Sequence, residues 1–211
     1  VQPGMVYISN PTEFGTVYTR GELEALHAVC KARHLPLFID GARLGAALYS
    51  PVCDYTLADM AHMCEVFTIG GTKMGLLFGE AAVFSAPELA KDFRYFIKQN
   101  GGMLAKGRLL GLQFDALFTD GLYQEISAHA IAMAEKLREA FTAKGYNYLA
   151  PNRTNQIFVI VPDAHLAKIS EQFEYSYDQR IDATHSCVRF CTGWATKEEN
   201  VDALIRCVEK L

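Results

Sequence analysis

A lysine fenced by glycines is the residue of this sequence best suited to act as a nucleophile. Lys73 lies in Ile69-Gly70-Gly71-Thr72-Lys73-Met74-Gly75. Among apolar neighbours an ammonium loses hydration, which disfavours its charged form and frees the amine to condense with a carbonyl. The glycines allow a bulky group to approach the backbone closely. A plain surface-loop lysine is the competing reading, because lysines are mostly exposed. The order G-x-x-x-x-G-K-[ST] is absent, so the segment is not a P-loop. Asp40 closes the apolar run Pro36-Leu37-Phe38-Ile39. A carboxylate there needs a cationic partner or strong hydrogen bonds. Arg43 would give a structural ion pair; a protonated heterocyclic nitrogen would give a functional one. Arg189 alternates with Val188 and Phe190 and so points to the opposite face from them. It is either a solvated residue of the sheet face or a bidentate clamp for a substrate carboxylate.

The elements that must position these residues can be read in order. Met5 to Ser9 reads as a strand, and Thr19 with Glu22 forms a capping box that opens a helix ending near Arg33-His34. Strands follow at Pro36–Ile39, Val66–Ile69 and Ala81–Phe84, with a short helix at Thr56–Met63 between the first two. Strand, helix, strand, helix, strand is an α/β pattern. Long helical patterns then cover 87–98, 102–119 and 122–144. A strand at Gln156–Val161, a helix at 164–172, strands at Glu174–Tyr177 and Cys187–Cys191 and a last helix complete the chain. Thr196 and Glu199 are the expected capping box of that helix. The expected organisation is a larger α/β part over residues 1–119 and a small α+β domain over 120–211, with no repeats or long polar linkers. Ligands of open α/β sheets bind beyond the carboxyl ends of the strands. Those ends carry Thr12-Glu13, then Asp40 and Arg43, then Thr72-Lys73, so a carboxylate, a guanidinium and an amine are expected on one rim.

The 211 residues are half hydrophobic, with a net charge of −4. That length buries a sizeable core. The charge argues against a nucleic-acid partner, which needs clustered cations. No run approaches the roughly 20 apolar residues of a membrane span, and no basic segment followed by an apolar one opens the chain. A cytoplasmic location and no membrane partner are expected. Six cysteines are present, none in C-x-x-C or in zinc-ligand spacing, so no metal is expected and reduced structural thiols are. Cys187 and Cys191 are expected to be small buried apolar residues. The chain enters almost at once into Met5-Val6-Tyr7-Ile8, from which residues upstream are expected.

Taken in order, Ser9-Asn10-Pro11-Thr12-Glu13-Phe14-Gly15-Thr16, Phe38-Ile39-Asp40-Gly41-Ala42-Arg43-Leu44-Gly45 and the Lys73 segment carry a resemblance. Gly79-Glu80-Ala81, Lys98 to Gly107, Thr154-Asn155-Gln156 and Val188-Arg189-Phe190 ahead of Trp194-Ala195-Thr196 extend it nearly end to end. The set resembles the beta-eliminating lyase and threonine aldolase family of pyridoxal-phosphate (PLP) enzymes, in particular the low-specificity threonine aldolases. The resemblance implies the PLP-dependent transferase-like fold of the aspartate aminotransferase type, fold type I, as a partial large domain plus the small carboxy-terminal domain. It implies Lys73 as the Schiff-base lysine, Asp40 as partner of the pyridine nitrogen and Arg43 and Arg189 as holders of the substrate carboxylate. Thr72 would be a phosphate ligand, and Lys106 a basic residue presented toward a neighbouring subunit. The implied reaction cleaves L-threonine or L-allo-threonine to glycine and acetaldehyde, in a homodimer or homotetramer. The family's phosphate-cradling loop and ring-stacking histidine belong to its amino-terminal part; none of the six histidines here lies in that motif. A related PLP-dependent β-eliminating lyase and a catalytically incomplete structural fragment are the alternatives. A dinucleotide-binding dehydrogenase is disfavoured because no G-x-G-x-x-G follows a strand.

Overall fold

The computed structural model describes all 211 residues. Its first half runs β1 (Val6–Ser9), α1 (Arg20–Ala32), β2 (Leu37–Asp40), α2 (Leu44–Leu48), α3 (Leu57–Met63), β3 (Val66–Gly70) and β4 (Glu80–Phe84). These strands form a sheet in the order β1-β2-β3-β4, with the first three parallel and β4 antiparallel to β3. Parallel neighbours require helical crossovers, and α1 and α3 provide them. The Thr19–Glu22 capping box forms as expected, and a second one, Thr56–Asp59, starts α3. Leu23, Leu37, Ile39, Met60, Phe67 and Ile69 are buried together, which is why the strands read as continuous apolar runs. Glu65 ties the layers: its carboxylate accepts from the Leu37 N–H at 2.7 Å and contacts His27 Nε2 of α1 at 2.8 Å.

The second half runs α4 (Phe93–Gln99), α5 (Arg108–Phe118), α6 (Leu122–Ala143), β5 (Asn147–Tyr148), β6 (Gln156–Pro162), α7 (Asp163–Ile169), β7 (Ser176–Arg180), β8 (His185–Cys191) and α8 (Glu198–Glu209). Its sheet has the order β5-β6-β8-β7, antiparallel throughout. One face carries Ile157, Val159, Val188 and Phe190 and packs on Leu137 and Phe141 of α6 and on Val201 and Leu204 of α8. The other face carries Gln156, Phe158, Arg189 and Cys191, aligned across β6 and β8. Helix α6 serves both cores, with Tyr123 packed in the first and Met133 onward in the second. No helix is long and apolar enough to cross a membrane.

Several local expectations need correction. The helix over 87–98 is a 3-10 turn at Pro87–Ala90 followed by α4, broken where Asp92 takes φ 61°. The helix over 102–119 begins only at Arg108, because Gly101, Gly102 and Gly107 lower helix propensity ahead of it. Helix α2 gave no amphipathic signal because Leu44 to Ala47 are all buried. The Thr196–Glu199 box does not form. Helix α8 starts behind Lys197, and the Thr196 hydroxyl accepts from the Gly193 N–H at 2.8 Å instead. Cys187 is buried as expected, but Cys191 is exposed at the end of β8.

Candidate active site

The carboxyl ends of β2 and β3 are held unusually close. The Gly41 N–H donates to Thr68 Oγ1 and the Gly70 N–H to the Gly41 carbonyl, both at 3.0 Å. A Cβ at Gly70 would sit 2.8 Å from the carbonyl carbon and Cα of Ala42, so only glycine allows this approach. After β3 the chain makes a 3-10 turn over Thr72–Met74, closed by Gly75 at φ 90°. Met74 is buried beneath the turn, and the Trp194 ring packs on Gly75, 3.4 Å from where a Cβ would stand. The lysine inside the turn, just ahead of Met74, is thereby fixed at its backbone. Its side chain projects from the rim.

Lys73 has a lowered pKa. Partial burial is the main cause and the positive charge of Arg43 the next; Glu13, Asp40 and Glu80 act in the opposite direction. The three strand ends therefore do converge, as the order of elements predicts. Lys73 is still an exposed residue, and the desolvation expected for it is partial. Asp40, half-buried at the end of β2, accepts from the Ala42 N–H at 2.8 Å and from the Tyr7 hydroxyl. These partners do not include Arg43, one of the two alternatives open for it. Tyr7 stacks on Phe38 with ring centroids 5.3 Å apart, and hydrogen bonding to Asp40 pushes its phenol up to about 12.

The second sheet brings the remaining cation. Arg189 Nη1 donates to Gln156 Oε1 at 3.3 Å, and its guanidinium lies 5.9 Å from the centre of the Phe158 ring. Its Nε is buried without a partner. Next to it, burial raises the Cys191 thiol pKa, although the residue as a whole is exposed; the charges of Arg189, Arg43 and Lys73 work against that rise. The charges of all three cations of the rim thus act on one thiol. Thr72 is exposed, and its side chain makes no hydrogen bond. Lys106 is exposed in the turn before α5 and has no polar contact with these groups. Four histidines have partners elsewhere: His27 on Glu65, His129 on the Thr196 carbonyl, His165 on Tyr146 and His185 on Asp182.

Sequence reasoning missed Tyr7, Gln156, Cys191 and Trp194. Tyr7 and Gln156 had a readable signal, since each is a polar group in or at the edge of an apolar strand. Trp194 was legible only within the segment Trp194-Ala195-Thr196 that carries the resemblance, and the place of Cys191 near the three cations depends on how the two sheets pack.

The sheet with three parallel strands and one antiparallel strand, followed by the antiparallel sheet of the second half, has the architecture of the fold type I PLP-dependent class. The model of the family described as "Beta-eliminating lyase" matches residues 1–164, and the chain belongs to that family. It is 31% identical over 204 residues to a protein of a Pseudomonas species named low specificity L-threonine aldolase, covering 96% of this chain and 58% of that one. A solved structure of Leishmania major threonine aldolase superposes with a TM-score of 0.97 at 41% identity, covering all of this chain and 61% of that one. An aspartate aminotransferase from Thermotoga maritima superposes with a TM-score of 0.67 at 17% identity, which is a likeness of fold. The chain thus spans about three-fifths of the length of these threonine aldolases.

Proposed function

We propose that this chain supplies the amine, the ring-pairing acid and the carboxylate clamp of a PLP-dependent aldol cleavage of L-threonine or L-allo-threonine to glycine and acetaldehyde. One observation carries the reading. An amine of lowered pKa shares its rim with a fixed carboxylate and with two guanidiniums that pair with no acidic side chain. The donor set fits PLP, which when bound supplies an aldehyde and a heterocycle able to accept the electron pair of a bond broken at Cα. Lys73 would offer a neutral Nζ to that aldehyde. Asp40, held by Ala42 and Tyr7, would keep a proton on the ring nitrogen, and the Thr72 hydroxyl would donate to a phosphate oxygen. Arg43 and Arg189 would grip the substrate carboxylate. Fixing that group sets the rotation about Cα and so selects which bond stands ready to break. The cleavage balances without water or an oxidant, since the β-hydroxyl proton and the Cα–Cβ electron pair account for both products.

In this reading residues 1–119 are the carboxy-terminal part of the cofactor-binding domain, and residues 120–211 are the small domain that delivers Arg189. The enzyme works as a homodimer or homotetramer. The test uses the full-length protein loaded with PLP and given L-threonine. Acetaldehyde is expected, and Lys73→Ala is expected to abolish it. Pyruvate or ammonia from other amino acids, with no acetaldehyde, would move the assignment to β-elimination. The exposure of Lys73 favours a second reading for these 211 residues by themselves, as a catalytically incomplete fragment. Mixing the isolated chain with PLP and finding a visible-edge absorbance that borohydride removes would count against it.

A further inference from the structure

We propose that Gln156 is a positioning residue for the carboxylate clamp, holding Arg189 in place while leaving its charge free. The proposal rests on the reading of Arg189 as a carboxylate ligand. Gln156 opens β6 and is completely buried. Its Oε1 is the acceptor for Arg189 Nη1 at 3.3 Å, the one side-chain hydrogen bond that arginine makes, and the Cys191 thiol points at the same oxygen from 4.0 Å. Its Nε2 donates to the Glu13 carbonyl at 3.5 Å. Next to that bond, Asn152 Nδ2 donates to the Phe14 carbonyl at 2.9 Å. One buried amide thus joins the small domain's cation to the loop that brings Glu13 near Lys73. Two aromatic rings complete the support. Phe158, two residues along the strand, lies beside the guanidinium and meets Phe14 edge-on at 5.5 Å.

The choice of an amide is what makes this a clamp. A carboxylate at position 156 would orient Arg189 equally well but would neutralise it, leaving little attraction for an incoming anion. An apolar residue would leave the guanidinium without its hydrogen bond and free to rotate away. Glutamine fixes direction without spending charge. Burial keeps water from competing for the same oxygen.

The experiment uses the full-length PLP-loaded enzyme and a double-mutant cycle between Gln156→Met and Arg189→Lys. Gln156→Met keeps the length and the burial. It is expected to raise KM for L-threonine and the dissociation constant for glycine, measured by calorimetry, by about 10- to 100-fold, the worth of a hydrogen bond to a charged group. Affinity for 2-aminoethanol, which has no carboxylate, stays unchanged. In the double variant the two effects are expected to overlap rather than add, because both act through one guanidinium. Unchanged glycine affinity, an equal loss for 2-aminoethanol, or additive effects would overturn the proposal. An Arg189→Lys variant that binds glycine as well as wild type would instead overturn the underlying reading of Arg189. If Gln156→Met does not fold, Gln156→Glu decides. It is expected to fold and to bind glycine at least about 10-fold more weakly as its carboxylate captures Arg189, and wild-type affinity there would refute the role.

Discussion

Replacing Gly70 by alanine tests whether the close approach of the two strand ends is what brings Asp40 and Lys73 to one rim. The added Cβ would lie 2.8 Å from two carbons of Ala42, and ordinary contact begins near 3.4 Å. The strand ends must therefore part by at least about 0.6 Å. Both neighbours are backbone, so no side chain can swing aside. Overpacking of this kind costs about 1–3 kcal/mol of stability. The separation also loosens the Gly70 N–H bond to the Gly41 carbonyl and displaces Asp40 from Lys73. A misplacement near 1 Å costs on the order of 100-fold in rate, so a fall of at least about 10-fold in kcat is expected for the full-length enzyme. Gly145→Ala is the control. Its φ of 83° strains an alanine, by roughly 1–2 kcal/mol, with nothing within 4 Å of the added Cβ. Thermal melting and acetaldehyde release, measured side by side, separate the two variants. If Gly70→Ala melts lower but turns over at the wild-type rate, the spacing of the strand ends is not what matters.

The charges around Lys73 give a prediction with opposite signs. Glu13→Gln removes an anion and should lower the pKa of Lys73 further, whereas Arg43→Gln should raise it; the pH dependence of amine labelling at residue 73 reads both, and equal shifts in one direction would contradict the electrostatics. Glu65 sets an acid limit. Burial alone would raise its pKa, but hydrogen bonds from the Leu37 N–H and His27 outweigh it and hold the carboxyl below its usual value. That stability is present above the unfolded pKa near 4.5 and is lost as pH falls through the lower folded value. Glu65→Gln should therefore flatten the fall in melting temperature between pH 5 and lower pH, and an unchanged slope would refute the linkage. Phe141, fully buried in the second core, should cost about 3–5 kcal/mol when cut to alanine, measured by urea unfolding, with the Lys73 titration unmoved.

The half that forms the first sheet was legible because its signals are local. Pro36 to Asp40 and Val66 to Gly70 are short apolar runs that end in polar or glycine residues, and both became strands buried between layers. The Thr19–Glu22 box needs only four residues to form, and it formed. The identical-looking pair Thr196–Glu199 failed because Thr196 found a competing donor in the Gly193 N–H, a choice made by the turn ahead of the helix. Helix α2 was invisible for the opposite reason. An amphipathic period marks a boundary with water, and a segment buried on every side has no such boundary.

The candidate site divides along the same line. Asp40, Arg43 and Lys73 could be picked out because a strand end exposes its residue type directly to the rim. What tunes them is non-local: Tyr7 reaches Asp40 across 33 residues, and Gln156 reaches Arg189 across another 33. The partial desolvation expected for Lys73 is present, and it has a physical consequence. The amine is already displaced toward its neutral form by partial burial and by Arg43, while still exposed. Any surface that closes over the rim removes more water from it and strengthens the repulsion from Arg43, because both effects grow as the local dielectric falls. Closure would also deepen the pull of Arg43 and Arg189 on a carboxylate. The reactivity of the amine and the grip on the substrate would then rise together, which ties the chemistry of this rim to whatever covers it.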